Sequence, residues 1–272
     1  MMRSLWTGAS GMIAQQTNVD TIANNLSNVN TSGYKSEKTE FKSLLYQTLQ
    51  TKTTSANGEE KPISAQVGLG TRVASNTSIF TQGSLIANES KSAFAIEGNG
   101  LFSVRGADGE TYYTRNGNFS WVKDGNVVSL CTQEGYHVLD SNGNVISLPA
   151  NVSSESVEFQ SNSGEIGYKD GAGNYHALNR RIGIYQFRNP AGLEKESNSL
   201  LSVTGASGDA MSEYTNNNLT RSKIVQGYLE GSNVQLADEM VNLIVAQRAY
   251  EMNSKVITTS DDMLGIANQL KR

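Results

Sequence analysis

The sequence is short of the residues from which catalytic and metal sites are most often built. Its 272 residues include one cysteine and two histidines, which excludes an internal disulfide. The histidines, His137 and His176, have no cysteine or acidic cluster at metal-ligand spacing, so no zinc site is predicted. Cys131 would need a neighbouring histidine to act as a nucleophile, and a small buried apolar side chain in a strand is the favoured interpretation.

Positive charge and long apolar runs are also scarce. The formal net charge is −4, the sequence pI is about 5.3 and the basic residues are scattered, so no nucleic-acid surface is predicted. No segment approaches the ~18 continuous apolar residues of a membrane span, and the Lys271-Arg272 tail is too short to bind a membrane surface. The N-terminus lacks an apolar block followed by a small-residue cleavage site. We therefore expect no membrane insertion, and a chain that either stays in the cytoplasm or is exported without a cleaved signal peptide.

Two segments resemble parts of known ligand-binding motifs, but neither motif is complete, and no catalytic group of carboxylates stands out. The segment 140–144, DSNGN, resembles a calcium loop, but its glycine stands at the fourth position instead of the sixth, so a hairpin turn is predicted. The segment 97–100 lacks the third glycine of a phosphate-binding loop. Carboxylates such as Glu158 and Glu165 are scattered over predicted hairpins. We expect no catalytic, cofactor-binding or metal-binding residues, no cofactor and no enzymatic activity.

What the sequence does contain is a pair of matching ends. Both ends carry apolar residues seven positions apart, which is the spacing of a coiled-coil seam: Leu5, Met12, Val19 and Leu26 at one end, Leu243, Tyr250, Ile257 and Leu264 at the other. Ile22 and Val29 occupy adjoining positions in the first segment. We predict a first helix from about Arg3 to Asn30, closed by Gly33 in the left-handed conformation, and a second helix that begins near Val234.

The second predicted helix has apolar residues on more than one side. Val245, Met252 and Ile266 form a further track, and Leu243 and Val245 lie on nearly opposite sides of a helix that advances 100° per residue. A single helical partner covers only one of these tracks. Either both ends pack into one globular core, or they assemble with other chains. The whole chain is only 37% hydrophobic, and its turn-rich middle does not look like the partner of two long helices, which favours assembly.

Four asparagines crowd the end of the first predicted helix: Asn24, Asn25, Asn28 and Asn30. Asparagine is a mediocre helix former, so helix propensity does not explain them. They either cap a fraying end, or their amides bond to neighbouring helices and fix the register, as a buried polar residue does in a coiled coil.

The pattern predicts an α+β fold, with terminal N- and C-helices that form a coiled-coil-like α domain around a central antiparallel β-rich domain. The predicted parts are residues 1–33, 34–90, 91–215 and 216–272. In the connecting region, a short apolar cluster is predicted to form one or two helical turns: Phe41, Leu44, Leu45, Tyr46 and Leu49. The polar run after it, residues 50–60, is either disordered or ordered only against a partner.

The β-rich part is predicted from alternating segments separated by tight turns. Four dipeptides fit such turns: Asp108-Gly109, Asn116-Gly117, Asp124-Gly125 and Asn142-Gly143. They predict an antiparallel meander that closes into a small barrel or sandwich.

Motifs along nearly the whole chain resemble the bacterial flagellar rod and hook proteins. The N-terminal runs are SGMIAQQ at 10–16 and DTIANNLSNVNTSGYK at 20–35. The C-terminal runs are EGSNV at 230–234, EMV at 239–241 and QRAYE at 247–251. Between them, TQGSL at 81–85, IEGNGLF at 96–102 and YTRNG at 113–117 are similar to motifs of the β domain of that family. The start at residues 3–6, the segment 41–47 and the overall length are most similar to the distal rod members, with proximal rod or hook members as alternatives.

The resemblance implies a structural subunit that self-assembles into a helical tube, which transmits torque to the hook and carries a central export channel. The implied partners are copies of the chain itself, proximal rod and hook subunits, the flagellar type III export apparatus and ring proteins around the rod. The implied location is the basal body, outside the cytoplasmic membrane. A carbohydrate- or wall-binding β module on a helical stalk is the alternative from another class.

The residues predicted to form the assembly interface combine the seam positions with two of the asparagines. They are Leu5, Met12, Val19, Ile22, Asn25, Leu26, Asn28, Val29, Leu243, Tyr250, Ile257 and Leu264. The connecting stretch 50–66 is expected to brace neighbouring subunits.

Overall fold

The computed structural model describes residues 2–50, 65–125, 127–149, 152, 156–160, 164–169, 174–216 and 218–270. Helix α1, Met2–Ser27, and helix α2, Leu236–Gln269, flank a region of antiparallel strands, which confirms the predicted α+β class. Most of the polar run predicted to be a connector and the Lys271-Arg272 tail lie outside the described residues. None of the described helices has the length and apolar content that a membrane crossing requires.

The chain divides into two discontinuous units. The helix unit comprises residues 1–27, 37–78 and 235–272, and the β unit comprises residues 28–36 and 79–234. Residues 28–36 and 79–90 therefore group with the strands rather than with the helices. The predicted four-part division at 33, 90 and 215 stays a prediction about domains.

The helix unit combines the two helices with two ribbons of paired strands. Strand β1, Glu37–Ser43, pairs with β4, Thr71–Ser78, and β2, Tyr46–Gln50, pairs with β3, Ala65–Gly68. The prediction of helical turns at 41–49 is therefore wrong. A few apolar residues cannot nucleate a helix alone, whereas the backbone of 37–50 finds partners across two ribbons.

Helix α1 ends three residues before the predicted end. It stops at Ser27, and a turn follows in which the Thr31 amide donates to the Asn28 carbonyl at 3.1 Å. Gly33 has the expected positive φ of +73°, but it lies beyond the turn and does not cap the helix. The asparagines explain the early end, because their side chains compete with the helical backbone for hydrogen bonds.

The strands of the β unit are all antiparallel, as predicted, but they do not form a meander. In chain order they are β5 Leu85–Ala87, β6 Phe94–Glu97, β7 Leu101–Arg105, β8 Thr111–Thr114, β9 Phe119–Asp124, β10 Val127–Thr132, β11 His137–Val138, β12 Ser147–Pro149, β13 Val157–Gln160, β14 Glu165–Lys169, β15 Tyr175–Arg181, β16 Ile184–Gln186, β17 Glu194–Lys195, β18 Leu200–Ser202, β19 Met211–Ser212, β20 Lys223–Gln226 and β21 Tyr228–Glu230. The main described sheet follows the order β12-β10-β11-β7-β8-β18-β17, with β9, β16 and β19 attached at its sides. Strands far apart in sequence are neighbours, such as β6 with β20 and β5 with β21.

Three of the four predicted turns join antiparallel segments that pair with each other. Gly109 lies between β7 and β8 with a φ of +87°, where a side chain would be strained, and the Asp124-Gly125 and Asn142-Gly143 turns also close antiparallel pairs. The turn predicted at Asn116-Gly117 is wrong, because β8 and β9 do not pair with each other. A Cβ atom at Gly117 would lie 1.7 Å from the Phe94 carbonyl oxygen, so this glycine serves a close backbone approach.

The core of the β unit is aromatic and aliphatic. Phe102 and Phe119 pack edge to face with 5.1 Å between ring centroids, and Phe94 meets Phe159 in the same geometry at 5.3 Å. Both rings of the first pair are almost fully buried with the aliphatic residues of the same cluster. The β unit therefore has its own hydrophobic core.

Candidate assembly surfaces

The two helices run antiparallel and meet along a face of α1 that is lined by small residues. A Cβ atom at Gly8 would lie 3.0 Å from Cγ1 of Ile257, and one at Gly11 would lie 2.9 Å from Nδ2 of Asn253. Both glycines are buried. The helices approach this closely because α1 presents no side chains at these two positions.

Polar contacts fix the register at both ends of this seam. The hydroxyl oxygens of Ser4 and Ser260 are 3.0 Å apart, and Nδ2 of Asn25 donates to Oε1 of Glu239 at 3.4 Å. The Asn25 amide also donates to the Glu37 carbonyl at 2.8 Å and accepts from the Glu37 amide at 2.9 Å. For Asn25, the interpretation of an amide that bonds to a neighbouring helix and fixes register agrees with this geometry.

Burial of Glu239 in this seam raises the pKa of its carboxyl group. The hydrogen bond from Asn25 acts in the opposite direction by favouring the ionised form, and the nearby charge of Asp238 raises the pKa further. Desolvation is the larger effect, so the carboxyl group takes up a proton more readily in the folded chain than in the unfolded one.

The structure brings the predicted interface residues of the helices only partly into the seam. Ile22 and Asn25 are buried. The seven-spaced apolar residues of α1 are half-buried beside the glycines: Leu5, Met12, Val19 and Leu26. Three of the four corresponding residues of α2 are half-buried too: Leu243, Ile257 and Leu264. Tyr250 is exposed, and Asn28 and Val29 are half-buried residues of the β unit. The contacts of these residues with other copies stay a prediction.

A continuous apolar stripe of α2 faces away from α1. We call this the α2 stripe, and each of its members is at least 45% exposed: Val241, Val245, Met252, Val256, Met263, Ile266 and Leu270. At 100° per residue they fall within an arc of about 80°, centred about 120° from the seam. The sequence identified three of them, and the others follow from the same periodicity.

Helix α1 has a shorter exposed apolar face. Met2, Trp6 and Ile13 are each at least 67% exposed, and they lie nearly opposite Gly8 and Gly11 on the helical wheel. In the antiparallel pair, this face lies toward the same end as the C-terminal half of the α2 stripe. Near the two chain termini, both helices therefore expose apolar side chains.

The β2–β3 ribbon adds apolar exposure to the helix unit. Leu45 is 83% exposed, and Tyr46 and Leu49 are also exposed. Exposed aromatic and aliphatic residues on a two-stranded ribbon are a typical contact surface for a partner, because two strands alone bury little.

The β unit instead contains a buried cluster of charges, which we call the Glu230 cluster. Glu230 is 1% exposed, and its carboxylate accepts from Lys35 Nζ at 2.7 Å and from Nε of Arg115. Oε1 also accepts from the Gly83 amide at 2.9 Å. Both cationic side chains are 5% exposed, so one carboxylate compensates two buried positive charges.

Each cation of the Glu230 cluster also donates to backbone carbonyls. The Arg115 guanidinium donates from Nη2 to Ile96 at 3.0 Å and to Gly98 at 2.6 Å, and from Nη1 to Gly100. Burial lowers the pKa of the Lys35 ammonium, while the hydrogen bond and charge of Glu230 act in the opposite direction. The carboxylate of Glu230 is therefore what allows these two cations to remain buried.

Sequence reasoning missed the Glu230 cluster although its members stand in motifs that had been singled out. Lys35, Arg115 and Glu230 come from three separate runs, and 195 positions separate Lys35 from Glu230. The glycines of the 81–85 and 96–100 runs supply backbone groups to the same cluster. No spacing along the chain could have joined these groups, because only the folding of distant segments brings them together.

The structure places the single cysteine beside a histidine, but in an inaccessible position. Cys131 Sγ lies 3.2 Å from Nδ1 of His137 and 3.7 Å from the Ser129 hydroxyl. The thiol residue is 2% exposed, so a substrate cannot reach its sulfur atom. Within the described ranges, no three His, Cys, Asp or Glu side chains form a group that could hold a metal ion.

Comparisons with known proteins agree with the motifs. Three family models match: the flagella basal body rod protein at residues 5–35, the flagellar hook protein FlgE/F/G D1 domain at 95–168, and the flagellar basal body rod FlgEFG protein C-terminal at 225–270. The flagellar basal-body rod protein FlgG of Borreliella burgdorferi is 44% identical over 100% of both chains. The one of Agrobacterium fabrum is 41% identical over 98% of this chain and 99% of its own. The flagellar hook-basal body complex protein FlhP of Bacillus subtilis is 31% identical over 100% of both.

Proposed function

Since the chain belongs to the family of flagellar basal-body rod and hook proteins, we propose that it is a structural subunit of the distal rod that polymerises with copies of itself. The start at residues 3–6 and the segment 41–47 support the distal rod over the proximal rod and the hook. The proposal places the chain in the basal body, where it assembles with other rod and hook proteins and transmits torque through a hollow shaft.

The α2 stripe is the observation that carries this proposal. Soluble monomers rarely expose a continuous apolar surface of this length, because water disfavours it by roughly 25 cal/mol for each Å². Helix α1 already occupies another side of α2, so other chains have to cover the stripe. A bundle of such helices packed as coiled-coil-like neighbours would bury both the stripe and the half-buried seam residues.

The difference between the exposed apolar surfaces of the two helices favours an open polymer over a closed dimer. The α2 stripe and the α1 face at Met2, Trp6 and Ile13 differ in length and composition. A contact between two different surfaces is heterologous, and a heterologous contact that does not close into a ring extends into a helical filament.

A substitution in the α2 stripe tests the polymer. Val245→Asp places a charge within the stripe, and we expect it to abolish filament formation in sedimentation and electron microscopy. Gln247→Asp is the matched control, because Gln247 is an exposed polar residue of the same helix outside the stripe. Filaments of normal length from Val245→Asp would contradict the proposal.

The position along the axle needs a separate experiment. Gold labelling of the tagged chain in isolated basal bodies should place it between the proximal rod and the hook. Label on the proximal segment or on the hook would favour the alternative members of the family. A wall-binding module would instead keep its binding after removal of α1 and α2, while the proposed rod subunit would lose assembly.

The remaining parts of the proposal follow from membership in the family. Export through the flagellar type III apparatus without a cleaved signal peptide would bring the chain to the basal body. Contacts with ring proteins would involve the outside of the axle. Quantitative export assays with residues 2–27 deleted test the first of these, and normal secretion of the deleted chain would count against it.

A further inference from the structure

The chain passes between its two units at four places, and three of them start from neighbouring residues of the β unit. The four passages are 27/28, 36/37, 78/79 and 234/235. At three of these passages, the residue on the β-unit side is Ser36, Ile79 or Val234. Asn233 directly precedes Val234, and its side chain forms hydrogen bonds with the backbone of Ser36 and of Ile79.

One planar amide group makes these bonds. Oδ1 of Asn233 accepts from the Ser36 amide at 2.7 Å, and Nδ2 donates to the Ile79 carbonyl at 2.8 Å. Nδ2 also lies 2.9 Å from Oγ1 and 3.3 Å from the carbonyl oxygen of Thr81. The Ile79 amide in turn donates to the Ser36 carbonyl at 2.8 Å. An acceptor and a two-proton donor are both required, which an asparagine supplies and an aspartate does not.

The Glu230 cluster anchors the same three segments to the rest of the β unit. Lys35, next to Ser36, donates to the Thr81 carbonyl at 2.7 Å as well as to Glu230. The Glu230 carbonyl accepts from the Gly33 amide at 2.8 Å. The segments at 33–36, 79–83 and 230–233 are thus joined twice, once by the Asn233 amide and once by the buried charges.

We propose that Asn233 is a clamp residue, which holds three of the chain passages at one point so that load passing between the units is shared by three chain segments. This mechanical meaning rests on the proposed function, since a subunit of a rotating shaft carries load along its chain. The clamp itself does not, because all of its groups belong to the β unit of a single chain.

Hydrogen exchange on the full-length chain tests the clamp. In Asn233→Ala we expect the Ser36 and Ile79 amide protons to exchange with solvent at least about tenfold faster. The Ser36 amide loses its acceptor, and the Ile79 carbonyl loses the donor that ties its segment to residue 233. The Leu130 amide, which donates to the Ile146 carbonyl at 3.1 Å in the core, should keep its rate. Asn189→Ala is the matched control, since its amide makes a single surface contact with the Ala206 carbonyl at 3.2 Å.

A conservative variant separates the clamp from a general loss of stability. Asn233→Asp keeps the acceptor for the Ser36 amide but removes the donor to the Ile79 and Thr81 oxygens. We expect Ser36 to stay protected and Ile79 to exchange faster. Unchanged exchange at Ile79 in both variants would overturn the clamp, as would equal acceleration at Leu130.

The load-sharing role has its own readout in assembled filaments. Filaments of Asn233→Ala should fragment at a lower shear rate than filaments of Asn189→Ala. Equal fragmentation would overturn load sharing. This outcome can be told apart from a failure of the proposed function. Normal filaments from Val245→Asp would contradict the polymer contact, and hydrogen exchange at Ser36 and Ile79 would not be affected by that result.

Discussion

The two units of this chain treat apolar and charged groups in opposite ways. The helix unit leaves the α2 stripe and the face of Met2 and Trp6 in water. The β unit buries the phenylalanine rings of its core and even encloses the charges of Lys35, Arg115 and Glu230. The β unit therefore satisfies these groups within one chain, while the helix unit leaves apolar surface uncovered. The proposed polymer accounts for this difference, since neighbouring copies would cover that surface.

The largest effect is expected from the charge of Glu230. Glu230→Gln leaves two buried cations without their carboxylate, and we expect the β unit to lose about 3–5 kcal/mol of unfolding free energy. Urea unfolding followed by Trp121 fluorescence measures this in a Trp6→Phe background, because the chain has two tryptophans.

Glu213 provides the matched control for that experiment. It is 2% exposed, and its carboxylate accepts from Gln186 Nε2 at 2.7 Å and from the Ser222 amide at 2.6 Å. These partners are neutral, so Glu213→Gln should cost only about 1–2 kcal/mol. Equal losses for the two variants would mean that burial, and not charge compensation, dominates in the β unit.

The next largest effect should come from the glycine face of α1. Gly11→Val inserts a side chain where a Cβ atom already comes within 2.9 Å of Asn253, and we expect a loss of about 1–3 kcal/mol in the helix unit. Gly265→Val is the control, because a Cβ atom there meets nothing within 4 Å. Helical circular dichroism during urea unfolding measures both, and similar midpoints would show that the seam is loosely packed.

A smaller effect on the single chain, with a large one on assembly, is expected at Leu26. This side chain is half-buried in the single chain and belongs to the predicted assembly interface. Leu26→Asp should prevent filament formation while the Trp121 signal of the β unit stays at its parent value. Persistent filaments would remove Leu26 from the packed interface.

The smallest expected effect is a pH dependence of the helix pair. The pKa of Glu239 is raised above its usual value of 4.5, so the folded chain binds the proton more tightly than the unfolded chain. The stabilisation is fully present below the unfolded pKa and is lost as pH rises through the folded pKa. The urea midpoint of the helical signal should therefore rise modestly from pH 7 to pH 5. Glu239→Gln should abolish this change, and Asp238→Asn should retain it.

Local sequence signals identified the elements but not their partners. The glycines of the Asp108-Gly109 and Asp124-Gly125 turns were recognisable because a positive φ depends on a single residue. The segment at 41–49 was assigned to helical turns, because its strand partners at 65–78 lie beyond a polar run. The exposed stripe was found in part, since periodicity marks a side of a helix but not what covers it.

The sequence by itself determined the two helices, the antiparallel character of the middle and the kinship with flagellar rod proteins. These rest on residues within a turn or a heptad of each other, or on short motifs that survive without knowledge of contacts. The tertiary structure decided which strands pair, why Gly8 and Gly11 are needed, and that Lys35, Arg115 and Glu230 meet. The reason is physical: periodicity and turns follow from local backbone geometry, whereas close helix packing and the burial of compensated charges depend on segments that only folding brings together.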